Sequence, residues 1–138
     1  MHTCDLLVIS CIDFRFQEAL RNFLNKEHRG DYDLVCLAGA AKNLVSGRDF
    51  GKEVLFDQIR ISQNLHQIKK IFLVNHQNCG AYGESLTSWS PQEREVHKAD
   101  LTRARDKIAE LFPKLEVLLY LIEFTEEPTA GVQFTKIG

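Results

Sequence analysis

Leu6-Leu7-Val8-Ile9 is apolar at every position, so a strand formed there has no face to turn toward water. Side chains alternate across a strand's pleat, and such a run is stable only where both faces are covered. This segment therefore demands a sheet with helices packed above and below it. Phe16, Ala19, Leu20, Phe23 and Leu24 recur at helical spacing and predict an amphipathic helix that ends before Gly30. Tyr32 to Leu37 reads as a second strand, residues 39–51 as a glycine-containing loop, and Ile71 to Val74 as a third apolar strand. Val54, Leu55, Ile59, Ser62 and Leu65 mark the inner face of a helix before that third strand.

Ser90-Pro91-Gln92-Glu93 has the form of a capping box with proline at the first helical position. Leu101, Ala104, Ile108, Leu111 and Phe112 line one face of the helix it begins, and Pro113 helps to end it. Val117 to Phe124 is a fourth strand, and Gly131 to Ile137 offers a fifth at the edge. Strands alternating with helices predict an α/β fold of three layers. The expected sheet is mainly parallel and four-stranded, of order 2-1-3-4, with right-handed crossovers, helices on both faces and that extra edge strand. No repeat, low-complexity tract or linker interrupts the 138 residues, so residues 1–138 are expected to form a single domain.

A net charge of −2 recruits neither nucleic acid nor an anionic membrane. No apolar run approaches the ~18 residues of a membrane span. No basic region precedes Leu6, so a secretory leader is not expected and the cytoplasm is the expected compartment. That expectation governs the four cysteines. In a reducing compartment they read as ligands, nucleophiles or small buried hydrophobes, not as disulfides.

In open α/β sheets ligands bind beyond the carboxyl ends of the strands. The first strand runs out into Ser10-Cys11-Ile12-Asp13-Phe14-Arg15, and the third into Asn75-His76-Gln77-Asn78-Cys79-Gly80. If the two strands are neighbours, both segments face one crevice. Thiolate and imidazole suit zinc, two thiolates cancel its charge, and a Cys₂His set leaves a fourth position for water. Cys11, His76 and Cys79 are therefore candidate zinc ligands, with Gly80 giving the turn between the latter two its backbone freedom. Extended alternation would set Cys11, Asp13 and Arg15 on one side. Arg15 could then grip Asp13 bidentately and keep it ionised. Asp13 could orient a nucleophile or swing in as a fourth ligand; these roles exclude each other.

Cys11-Ile12-Asp13-Phe14-Arg15 and His76-Gln77-Asn78-Cys79-Gly80 resemble the C-x-D-x-R and H-x-x-C-G motifs of the β-class carbonic anhydrases. The order of elements is similar too, from the first strand through the fourth. The resemblance implies a zinc lyase that interconverts carbon dioxide and bicarbonate through hydroxide held on the metal. It implies Cys11, His76 and Cys79 as the ligands, Asp13 and Arg15 as a catalytic dyad, and a homodimer or larger homo-oligomer. Where many members have R-N-A-G after the second strand, this chain has Cys36-Leu37-Ala38-Gly39, and it enters its first strand without the usual preceding helices. Two alternatives stand beside this reading: hydrolysis of another small electrophile, such as carbon disulfide or carbonyl sulfide, and a non-catalytic zinc or redox module. Cys4 and Cys36 are expected as small core residues, and His2, His28, His66 and His97 as solvated surface groups. Gly39, Gly47 and Gly51 match no phosphate-binding fingerprint.

Overall fold

The computed structural model describes residues 2–46, 49–83, 90–125 and 131–138. The elements are β1 (Leu6–Ser10), α1 (Gln17–Glu27), β2 (Tyr32–Cys36), α2 (Lys42–Val45), α3 (Asp49–His66), β3 (Lys70–His76), α4 (Pro91–Leu111), β4 (Glu116–Phe124) and β5 (Val132–Ile137). They build a five-stranded sheet of order β2-β1-β3-β4-β5. The first three pairings are parallel and the last antiparallel, which matches the expected order with its extra edge strand. The connection from β4 to β5 explains the reversal. Residues 125–131 are fewer than the dozen or so that a parallel crossover requires.

Every residue of β1 is buried, as its unbroken apolar run requires. Leu6 and Val8 face α1 and pack with Phe16, Leu20 and Leu24. Leu7 and Ile9 face the opposite layer, where Leu44 of α2, Leu55 and Ile59 of α3, and Leu101, Ala104 and Ile108 of α4 close over the sheet. Burying each of these large aliphatic side chains stabilises the fold by about 1.5–3 kcal/mol before entropy is counted. Among the described residues no helix is long and apolar enough to cross a membrane.

The helical faces differ from the sequence reading at their ends. Leu65 is 61% and Leu111 55% exposed, because each sits in the last turn of its helix, where the helix has left the layer it covers. Phe112, one residue further on, takes the buried position instead. The expected loop over residues 39–51 contains α2, and α3 begins within it; Gly47 lies outside the described residues. Gly51 is a helical residue whose missing Cβ matters, since one built there would meet Asn43 Oδ1 at 2.6 Å. α2 and α3 approach that closely. β3 is longer than expected and reaches His76, because Asn75 and His76 pair with Leu121 and Ile122 of β4.

Candidate metal centre

β1 and β3 are adjacent and parallel, so their carboxyl ends emerge side by side. Cys11 is the first residue beyond β1, His76 is the last of β3, and Cys79 follows three residues later. All three are buried, and their ligand atoms lie within 4.8 Å of one another. The two sulfurs are 4.0 Å apart. His76 Nδ1 lies 2.8 Å from the Gln77 carbonyl, which can only accept, so Nδ1 carries the proton. Nε2 is then a bare lone pair, buried and with no hydrogen-bond partner among the described residues. Leaving such a group unpaired costs about 1–3 kcal/mol. The Phe16 ring, 4.4 Å away centroid to centroid, fixes the imidazole from one side.

The electrostatics point the same way. A hydrogen bond from the Cys79 thiol holds the Cys11 sulfur well below its ordinary pKa, against burial and with help from the Gly39 N–H, 3.5 Å away. That same bond, together with burial, pushes Cys79 up. Without metal the pair therefore keeps one proton and one negative charge; a divalent cation would take the place of that proton. Two thiolates and one correctly tautomerised imidazole are a donor set that fits zinc, with one coordination position left over. Gly39 sits at φ +86°, and a Cβ there would lie 3.1 Å from that of Ala81, so only glycine brings this N–H to the sulfur without strain.

Asp13 and Arg15 do meet, but not by extended alternation. Asp13 caps a 3₁₀ turn over Phe14–Phe16, and its Oδ1 accepts from the Arg15 N–H at 2.9 Å. The turn swings the guanidinium back, so that Nε (3.1 Å) and Nη2 (2.7 Å) grip the carboxylate. Arg15 holds the Asp13 carboxyl below the usual range and is itself raised by it. Asp13 Oδ2 also lies 3.7 Å from His76 Nε2. Arg15 has a second task. Its Nη1 and Nη2 each donate, at 2.9 Å, to Asn78 Oδ1 and to the Asn78 carbonyl, joining the two strand-end segments.

Asn78, not Gly80, provides the unusual backbone conformation, with φ +59°. Asparagine tolerates the left-handed region through local hydrogen bonding, whereas Gly80 opens a short 3₁₀ turn without a positive φ. The Asn78 N–H donates to Glu93 Oε2 at 3.1 Å. Glu93 is only 2% exposed, and its own N–H is capped by Ser90 Oγ at 3.2 Å. The capping segment thus starts α4 and also aims a carboxylate at the metal loop.

Behind the ligands lies a buried polar group that the sequence reading missed. Asn75 Nδ2 donates to the Tyr82 hydroxyl (2.8 Å), lies 3.0 Å from His97 Nδ1, and its Oδ1 accepts from Ala41 N–H (3.1 Å). The Tyr82 hydroxyl donates to Asp100 Oδ2 at 2.9 Å. His97 is fully buried, contrary to the expectation of a solvated surface group, and burial above all pushes it down to about 4. The available signal was spacing: Glu93, His97, Asp100, Leu101 and Ala104 form one inward face of α4. His66 is no free surface group either, since its Nδ1 lies 2.7 Å from Asp33 Oδ2. Cys36 packs at 3.5 Å from Ser10 Oγ and stays outside the cluster.

A family model described as "Putative carbonic anhydrase" matches residues 1–129. An uncharacterized protein of Rickettsia bellii is 36% identical over 129 residues, which is 88% of this chain and 78% of that protein. The crystal structure of a carbonic anhydrase from Streptococcus mutans superposes with a TM-score of 0.64 at 14% identity, covering 96% of this chain and 81% of that one. A tetrameric β-carbonic anhydrase from Sordaria macrospora gives a TM-score of 0.57 at 16% identity, covering 100% of this chain and 82% of the other. At such identities the two structures establish the shared fold.

Proposed function

The chain belongs to the carbonic-anhydrase family matched over residues 1–129, and from that premise we propose that it is a zinc-dependent carbonate dehydratase. Its substrates would be carbon dioxide and bicarbonate, and its metal ligands Cys11, His76 and Cys79. The observation that carries the reading is the buried, unpartnered Nε2 of His76 beside two sulfurs 4.0 Å apart. Zinc in such a set lowers the pKa of water toward neutrality and so makes hydroxide available at physiological pH.

The chain's own groups orient that nucleophile. Asp13, kept ionised by Arg15, would accept a hydrogen bond from the hydroxide that zinc supplies and so orient it toward carbon dioxide. The chemistry so supplied would be addition of hydroxide to carbon dioxide, one C=O electron pair moving onto its oxygen to give bicarbonate. By holding Asp13 from behind, Arg15 also keeps the carboxylate from becoming a fourth ligand. Burial pushes the His97 pKa down to about 4, which makes it a poor proton acceptor, so the proton released in regenerating hydroxide would leave through water or buffer.

A homo-oligomer accompanies this function. The S. macrospora enzyme of the same fold is tetrameric, and Ile12 and Phe14 beside the site are 60% and 86% exposed, a flank suited to cover by another subunit. Four free cysteines suit a cytoplasmic location. The deciding experiment is stopped-flow hydration of carbon dioxide by the chain with one zinc at Cys11, His76 and Cys79, run in parallel on carbonyl sulfide and carbon disulfide. The expected result is a zinc-dependent rate on carbon dioxide that Cys79→Ala abolishes together with zinc binding at Cys11, His76 and position 79. No rate above background at full zinc occupancy would refute the proposal.

A further inference from the structure

We propose that Cys4, Asp33 and His66 form a second divalent-metal site of the zinc or cobalt type at the amino end of the sheet. Cys4 Sγ, an Asp33 carboxylate oxygen and a His66 ring nitrogen lie within 4.8 Å of one another. They come from three different elements. Cys4 precedes β1, Asp33 is the second residue of β2, and His66 ends α3. The Cys4 N–H donates to the His66 carbonyl at 3.0 Å, which ties the two segments together independently of the side chains. Ser62 Oγ donates to Asp33 Oδ2, so the carboxylate is already oriented from behind.

The donor set is chemically matched to such an ion. One thiolate and one carboxylate cancel its two positive charges, and a neutral imidazole adds a third, borderline donor. Asp33 and Asp31 both place negative charge beside Cys4. The His2 ring lies against His66, with centroids 5.0 Å apart and planes at 57°, so its resonances would sense an ion held by His66. Access is open: the His66 and Asp33 side chains are 28% and 27% exposed, and a depression of about 350 Å³ adjoins Cys4.

In the metal-free chain the His66 Nδ1–H donates to Asp33. On binding, the Cys4 thiol releases its proton to solvent, the His66 proton moves to Nε2 through solvent, and three dative bonds form with no change of oxidation state. The site is separate from the candidate metal centre. Cys4 and Cys11 lie at opposite ends of β1, roughly 20 Å apart for seven extended residues.

The test is cobalt(II) titration of the full chain, counting equivalents bound and following the near-ultraviolet thiolate-to-cobalt band. Cys4→Ser and His66→Gln should each bind one equivalent fewer than the unaltered chain, and the loss should occur equally in a Cys79→Ser background. Both variants binding as many equivalents as the unaltered chain would overturn the proposal. Loss of an equivalent from Cys79→Ser alone bears only on the first centre, so the two readings fail separately. A measurement without substitutions guards against misfolding. Saturating cobalt should shift and broaden the His2 and His66 ring resonances, and unshifted resonances would equally overturn the site.

Discussion

Arg15 makes two kinds of contact with one guanidinium, and each has its own consequence. Toward Asp13 it is a bidentate partner, and toward Asn78 a clasp. Lysine is a point charge and cannot do both. Arg15→Lys should therefore retain zinc but lower kcat about a hundredfold, the scale expected when a reacting group is misplaced by about an ångström. Metal content measured alongside kcat separates the two effects. Asp13 makes stability depend on pH. Its folded pKa is depressed by Arg15, so its contribution is complete above the ordinary carboxylate value of about 3.9 and is lost as pH falls through the lower folded value. Urea midpoints of the metal-free chain and of Asp13→Asn should differ at neutral pH and converge as pH falls through the depressed folded value of Asp13. At this scale the cluster of Cys11, His76 and Cys79 was legible, because thiols and an imidazole sit at equivalent places beyond two strands that turn out to be neighbours. Their partners were not: the Gln77 carbonyl and the Gly39 N–H are backbone groups that every residue possesses.

α4 shows what periodicity reads and what it passes over. Counting apolar residues found Leu101, Ala104 and Ile108, but it skipped Glu93, His97 and Asp100 on the same face because they are polar. Those polar residues connect the helix to the metal loop, through Glu93 to Asn78 and through Asp100 and Tyr82 to Asn75. Glu93→Ala should destabilise the chain by about 1–3 kcal/mol, the cost of leaving a buried donor poorly satisfied. It should also weaken zinc binding, because Asn78 precedes Cys79. Denaturant unfolding and a competitive chelator titration check the two parts. Serine at position 90 announced a helix start correctly, and the second use of that start depends on a loop folded from a distant part of the chain.

For the whole molecule, the layered sheet followed from one unbroken apolar run, and the order β2-β1-β3-β4-β5 bears that reading out. Leu101 faces the sheet from α4 with no solvent exposure, so Leu101→Ala should cost about 2–5 kcal/mol by thermal or denaturant unfolding. What sequence could not reveal was where helices outrun the sheet, as at Leu65 and Leu111, since amphipathic spacing continues regardless of what lies opposite. The metal centre has a further consequence for biosynthesis. Cys11 and Cys79 are 68 residues apart, and Arg15 fastens their segments only when both have folded. A ribosome adding about 5–20 residues per second takes roughly 3–14 s to cross that interval. Throughout it the nascent chain carries a first candidate ligand with no companions, so under the proposed function zinc would be captured only after β3 has docked against β1, and loading would report that this pair of strands is in place.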